Sequence, residues 1–349
     1  MLPAKFCFEF RREKPSTIQL PVPRHSMTRP LFSRRTLALL LAAGFAAGPA
    51  LAQADRFPNR PIKVLIGFTA GGSTDVPFRV LAENASKILG QPVIIENKPG
   101  AGGVLPAQMM QNTPADGYTL AQIPLPVFRL PYTQKINWDP ATDLQYVIGL
   151  AGYAFGLVVP ADSPIKSMQD YIAYAKTHPG KLNYGTPGAL TTLHLTMENI
   201  AMQAGVTLNH IPFKGNSESL QAVLGGHVMS VADTPGWAPY VEQGKLRLLS
   251  TWGDKRSAKF PNTPTLKESG INLVQTSPFG LAAPKGTDPK VVQVLHDAFK
   301  KAMEMPNYKE SLAKFDMDTY YMDSATYRQY ALDTMKTEKV IIDKLGLGK

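Results

Sequence analysis

The stretch Ile66-Gly-Phe-Thr-Ala-Gly-Gly-Ser-Thr-Asp75 is one residue short of a phosphate-binding loop. Gly67, Gly72 and Thr74 keep the register of G-x-x-x-x-G-K-[ST], but Ser73 stands where the lysine belongs. Such a loop offers backbone N–H groups, hydroxyls and the positive end of a helix dipole, with no fixed cation. That chemistry suits a carboxylate better than a triphosphate. A plain strand-to-helix turn, with its glycines serving packing alone, is the competing reading. A second loop, Asn183-Tyr-Gly-Thr-Pro-Gly-Ala-Leu-Thr-Thr-Leu-His194, sets Thr186, Thr191 and Thr192 beside Gly185 and Gly188. It too opens a helix, and His194 falls in its first turns, as a ligand contact or as a packing histidine. Asp233 ends the apolar run Ser230-Val-Ala-Asp233, as a cleft residue or a helix cap. Lys214 reads more simply as a solvated charge.

Enzyme chemistry finds no foothold. There is no G-x-S-x-G, no G-x-G-x-x-G and no H-E-x-x-H, and the 6 histidines show no zinc-binding pair. The lone Cys7 lies before the apolar export core, so thiol catalysis, Cys-type zinc and disulfides are excluded from the exported product. No cofactor or metal is expected, and no enzyme.

The elements that must position these loops alternate. Ile62–Phe68 is a β-branched apolar run. Val76, Val80, Leu81, Ala85, Ile88 and Leu89 then recur at helical spacing until Gly90. Ser73 or Thr74 is the natural N-cap. Pro92–Asn97 and Tyr118–Pro124 continue the series, which predicts parallel strands with covered faces. A second alternating set begins near Phe155, where Ser167 caps a helix with Asp170 as capping-box partner. Phe279-Gly-Leu-Ala-Ala-Pro284 echoes Phe155-Gly-Leu-Val-Val-Pro160, as two strands that each follow a crossing between lobes. Thr287 is the expected cap of the next helix. The reading is α/β: two parallel-sheet lobes joined by a hinge around a ligand cleft. Lobe one spans 56–152 plus 276–349, and lobe two 153–275. Ligands of such sheets sit beyond the carboxyl ends of the strands.

Of 349 residues, 44% are hydrophobic and 18% charged, ample for two lobes. The formal charge is +10, yet residues 53–349 carry 29 basic and 25 acidic residues, too even for a nucleic-acid footprint. Arg34-Arg35, the apolar run Leu37–Ala47 and Ala50-Leu-Ala52 read as a cleaved secretory signal, too short to span a membrane. Residues 1–52 are thus an upstream extension plus signal, with Met27 a natural start. Ser33-Arg-Arg-Thr-Leu37 half-resembles a twin-arginine signal. The mature product is expected to be periplasmic and not inserted in the membrane.

The motifs FPNRPIKVLIGFTAGGSTD, LGQPVIIENKPGAGG, DGYTL, HPGKLNYGTPG, HIPFKG, LGGHV and GKLRLLST occur in this order. Together they resemble the Bug/tripartite tricarboxylate transporter substrate-binding family, from about residue 56 onward. The resemblance implies a type II periplasmic binding fold. It implies a receptor that captures a carboxylate-bearing solute, with ordered water bridging, and delivers it to integral membrane transporter subunits. A receptor feeding a sensor kinase is the alternative. The resemblance places Phe68, Ala70, Gly71, Gly72, Ser73, Thr74 and Asp75 around the ligand. Thr186, Gly188, Ala189, Thr191, Thr192 and His194 stand opposite, with Asp233 on the lobe-two side. Departures are Leu190 for a small residue, Phe213 for a tyrosine, Pro278-Phe279 for an aromatic pair, and Ile123-Pro-Leu-Pro126 for a Gly/Thr-rich loop. They predict a less polar ligand than citrate, such as an aromatic or medium-chain carboxylate. Arg129 is either a partner for a second carboxylate or a surface arginine.

Overall fold

The computed structural model describes residues 57–349. The stretch read as an export signal and Cys7 lie outside the described residues. Among them no helix is long and apolar enough to cross a membrane.

The first glycine loop joins β1 (Ile62–Ile66) to α1 (Asp75–Leu89). In α1, Phe78, Leu81, Ala82 and Ala85 share one face and are buried, each large side chain contributing roughly 1.5–3 kcal/mol. Gly90 ends the helix in the left-handed conformation, φ 68°, which a residue without Cβ adopts at no steric cost. The chain continues through β2 (Val93–Asn97), the short α2 (Leu105–Met109), β3 (Thr119–Ile123), α3 (Leu130–Thr133) and β4 (Leu144–Tyr153). Two residues later, β5 (Gly156–Pro160) opens a second sheet. There follow α4 (Met168–Thr177), β6 (Asn183–Thr186), α5 (Thr192–Ala204), β7 (Asn209–Pro212) and α6 (Asn216–Leu224). β8 (Ser230–Asp233), α7 (Ala238–Glu242) and β9 (Leu246–Thr251) complete that half. β10 (Ser277–Pro284) returns to the first sheet, followed by α8 (Pro289–Glu304), α9 (Pro306–Ala313), β11 (Asp318–Met322) and α10 (Ser324–Leu345).

The first sheet runs β11-β4-β10-β3-β1-β2 and the second β7-β6-β8-β5-β9. Both are mixed rather than all-parallel. β1 pairs parallel with β2 and β3, and β6 with β7 and β8. β10 is antiparallel to β3 and β4, and β5 to β8 and β9. The reason lies in the crossings. β1, β3, β6 and β8 end at the cleft, whereas β5 and β10 begin there on entering from the other sheet and must run the opposite way. The pair Gly156–Asp233 shows it: the first residue of β5 lies opposite the last of β8.

Helices cover the faces. Phe78, Leu120, Leu281, Leu295 and Phe299 form the core over the first sheet, and Leu157, Tyr171, Tyr184, Met197 and Trp252 over the second. Ser167 caps α4 as expected, its hydroxyl accepting from Asp170 N, while Asp170 Oδ2 takes Lys166 N. Two expected caps shift. Thr74 makes no side-chain cap bond to α1. The cap of α8 is Asp288, which accepts from Lys290 N, and Thr287 bonds Pro284 O instead.

Candidate functional site

The first loop is braced from behind. A Cβ at Gly67 would lie 2.2 Å from Gly103 O, so the loop over residues 98–103 lies directly against it. Asp75 turns back into its own loop. Its carboxylate accepts from Gly71 N at 2.9 Å, from Arg79 at 2.9 Å and from Asn97 Nδ2 at 2.9 Å. Burial works against its charge, but the bonds from Arg79, Gly71 and Asn97 prevail and hold it below the usual carboxylate range. Asp75 and Gly71 therefore satisfy each other. Ala70 O accepts from Ser217 Oγ at 3.2 Å.

The second loop is also largely self-satisfied. Thr191 caps α5, accepting from His194 N and donating to Gly188 O at 2.8 Å. Thr186 donates to Gly188 O at 2.9 Å and meets His210 Nε2 at 2.7 Å. His194 Nδ1 accepts from Leu190 N at 3.1 Å, and its ring stacks on His210 at 3.9 Å. Burial lowers the pKa of His194, and holds His210 down to about 3 with His194 adding to the effect. Both rings are neutral at pH 7, so His194 offers a ligand no charge. Leu190 has φ +58°, a left-handed backbone that favours glycine. Ala189 O approaches to within 2.7 Å of where a Cβ on Gly102 would be.

Between the loops lies a cavity of about 40 Å³, lined on one side by Phe68, Gly72, Ser73 and Thr74 and on the other by Thr191 and Thr192. That holds roughly three waters. It is small because the lobes touch across it. Ser73 Oγ is 2.5 Å from Thr234 Oγ1, and Ser73 N donates to Asn216 Oδ1 at 3.3 Å. Pro124, Pro126, Tyr153, Phe155, Pro187 and Leu193 give an apolar wall, and Asn216, Thr234 and Ser277 add polar atoms. No charged side chain lines it. A wider depression of about 250 Å³ lies behind Tyr153 and Phe155, beside Lys255, Asp316 and Asp318; neither glycine loop reaches it.

Of the residues the sequence singles out, Phe68, Gly72, Ser73, Thr74, Thr191 and Thr192 meet at this cavity. Ala70, Gly71, Asp75, Thr186, Gly188, Ala189 and His194 belong to the same loops or the helix starts after them but do not line it. Asp233 is fully buried one residue behind the lining Thr234. It bonds Ser219 Oγ, Thr234 N at 2.7 Å and Thr234 Oγ1 at 3.2 Å. Burial pushes its carboxyl up to about 7, against the bonds from Ser219 and Thr234.

Arg129 is neither on the surface nor free for a second ligand carboxylate. It is 2% exposed and paired with Glu338 of α10. Its Nη1 donates to Leu190 O at 3.0 Å and its Nη2 to Thr192 Oγ1 at 3.2 Å. Among the departures, Pro124 and Pro126 line the cavity. Phe213 packs behind Gly185, and the Phe279 ring packs at a tilt against Tyr153, 4.4 Å between centroids. Sequence reasoning passes over Tyr153, Phe155 and Ser277. They flank the two crossings, and that position is the signal that could have found them. Among the described residues no cluster of His, Asp and Glu is arranged to hold a metal.

Two α/β lobes meeting over a cavity at strand ends define a periplasmic binding protein. The chain belongs to the tripartite tricarboxylate transporter receptor family, which it matches over residues 77–347. It is 74% identical over 326 residues to the "UPF0065 protein in gbd 5'region" of Cupriavidus necator, covering 93% of this chain and 98% of that one. It is 33% identical over 294 residues to Protein BugT of Bordetella pertussis, covering 82% and 88%. The solved structure "R. palustris Rpa4515 with adipate" superposes with a TM-score of 0.79 at 27% identity, covering 84% of this chain and 99% of that one.

Proposed function

We propose that this receptor captures a carboxylate-bearing solute between the two glycine loops and delivers it to the membrane subunits of a tripartite tricarboxylate-type transporter. The observation that carries the reading is the cavity: two helix starts, at Thr74 and Thr192, share one small space with hydroxyls and no charged side chain. Anionic oxygens are stabilised there by helix dipoles and hydroxyl donors. Each charge-assisted bond contributes about 1.5–3 kcal/mol. The dicarboxylate bound by a similar protein agrees with this chemistry.

The lobes are 56–152 plus 276–349 and 153–275, hinged where β4 passes into β5 and where the chain returns to β10. The lobes touch across the cavity through Ser73 with Thr234 and Asn216, so uptake requires them to part and close again. The wall of Phe68, Pro124, Pro126, Tyr153, Phe155 and Leu193 selects an acid with an apolar body, aromatic or medium-chain. Export by a cleaved signal, with release into the periplasm, completes the reading.

A melting-temperature screen of carboxylic acids on the exported chain, followed by calorimetry, checks it. Aromatic or medium-chain acids should stabilise the protein more than citrate. A preference for citrate rejects the apolar selection, and stabilisation by no acid rejects carboxylate capture at this site.

A further inference from the structure

The cavity has no cation on its wall, yet a guanidinium lies one hydroxyl away. Arg129 is buried and fixed by Glu338. Arginine only donates, so Thr192 Oγ1 is the acceptor in their 3.2 Å bond. Thr192 makes no other side-chain hydrogen bond among the described residues, and it lines the cavity. Its own proton is thereby not spent on Arg129 and is left for a partner in the cavity that Thr192 lines. Thr191 differs, because its hydroxyl is spent on Gly188 O.

The opposite wall repeats the arrangement. Gln122 Oε1 accepts from Gly67 N at 3.3 Å, which fixes the amide so that Nε2 donates to Tyr153 Oη at 2.7 Å. Tyr153 Oη lies 2.6 Å from Thr74 Oγ1. Tyr153 is buried to 6% exposure, and once its phenol accepts from Gln122, Thr74 Oγ1 is its other hydrogen-bond partner among the described residues. With Tyr153 donating in that pair, Thr74 accepts and keeps its own proton for the cavity it lines.

We propose that Arg129 and Tyr153 are positioning residues that aim the hydroxyl protons of Thr192 and Thr74 at one carboxylate group. The inference rests on the carboxylate site proposed above. The charge of Arg129 reaches the guest through Thr192 and not by contact, and Glu338 on the C-terminal helix holds it there.

Double-mutant cycles separate this from direct contact, using as probe the acid that gives the largest melting shift. Arg129→Gln alone strands the Glu338 carboxylate, so that cycle is run on Glu338→Gln, with melting temperatures confirming folding. Thr192→Val should weaken binding about tenfold or more, the scale of a hydrogen bond to a charged group. Adding Arg129→Gln should then cost nothing further. Tyr153→Phe should likewise weaken binding in the presence of Thr74 and have no effect once Thr74→Val is made. Additive losses in either cycle overturn that relay. Additive losses with binding intact refute this inference alone. A screen in which no acid binds the unaltered protein removes the site and the inference with it.

Discussion

Gly72→Ala tests whether closure of the lobes is what binds. The backbone at Gly72 lies outside the left-handed region, so alanine is conformationally acceptable there. Its Cβ, however, would sit 2.2 Å from Asn216 Oδ1 across the cleft. Asn216 cannot slide aside freely, since its Nδ2 would be 2.4 Å from a Cβ on Gly236 and packs closely there. Making room breaks two buried bonds, Ser73 N to Asn216 Oδ1 and Asn216 Nδ2 to Thr234 Oγ1, both 3.3 Å. At about 0.5–1.5 kcal/mol each, the closed form loses roughly 1–3 kcal/mol. Each lobe taken alone loses nothing, because the methyl faces solvent when the lobes part. The expected outcome is an affinity 5- to 150-fold weaker, on the order of the coupling energies of switching proteins, with the ligand-free melting temperature nearly unchanged. Calorimetry on the best acid measures the first and calorimetric melting the second. Asn216→Ala added to Gly72→Ala should be no weaker than Asn216→Ala alone. Unaltered affinity in Gly72→Ala would refute the reasoning.

The remaining predictions concern buried charge. Glu338→Ala leaves the Arg129 guanidinium buried and unpaired, and should lower stability by about 3–5 kcal/mol in urea unfolding; a loss under 1 kcal/mol would contradict the pairing. Asp233 has a folded pKa near 7 against 3.8 unfolded, so between these values the folded protein binds more protons. Its contribution to stability therefore grows as pH falls from 7 toward 4, by up to about 1.4 kcal/mol per pH unit. Wild type should gain on Asp233→Asn over that range in melting temperature, and parallel curves would reject the shift. His210 runs the other way. Its folded pKa of about 3 lies below the unfolded 6.5, so its contribution is full above pH 6.5 and is lost on acidification toward 3. His210→Gln should melt with a shallower acid slope than wild type below pH 6.5, and an equal slope would count against the buried stack with His194.

Local pattern made much of this protein legible. The strand–glycine–helix units at Ile62–Leu89 and Asn183–Ala204 follow from β-branched runs, turn residues and helical spacing, which act within a few residues. The missing lysine at Ser73 pointed to a loop without a fixed cation, and no charged side chain lines the cavity that the loop borders. Leu190, which the family resemblance marked as standing in place of a small residue, has a φ of +58°, a left-handed backbone that favours glycine.

What the sequence could not decide is where each hydroxyl spends its proton. Thr186, Thr191 and Thr192 look alike in a string, yet the first two bond Gly188 O and only the third faces the cavity with its proton free. The direction of β5 and β10 likewise depends on which side of the cleft the chain enters. Arg129 read as either a ligand partner or a surface arginine because its actual partner, Glu338, is 209 positions away. Spacing along the chain fixes secondary structure and the backbone donors of each loop. Burial, charge pairing and proton direction come from contacts between residues far apart in sequence, and only the folded chain brings those together.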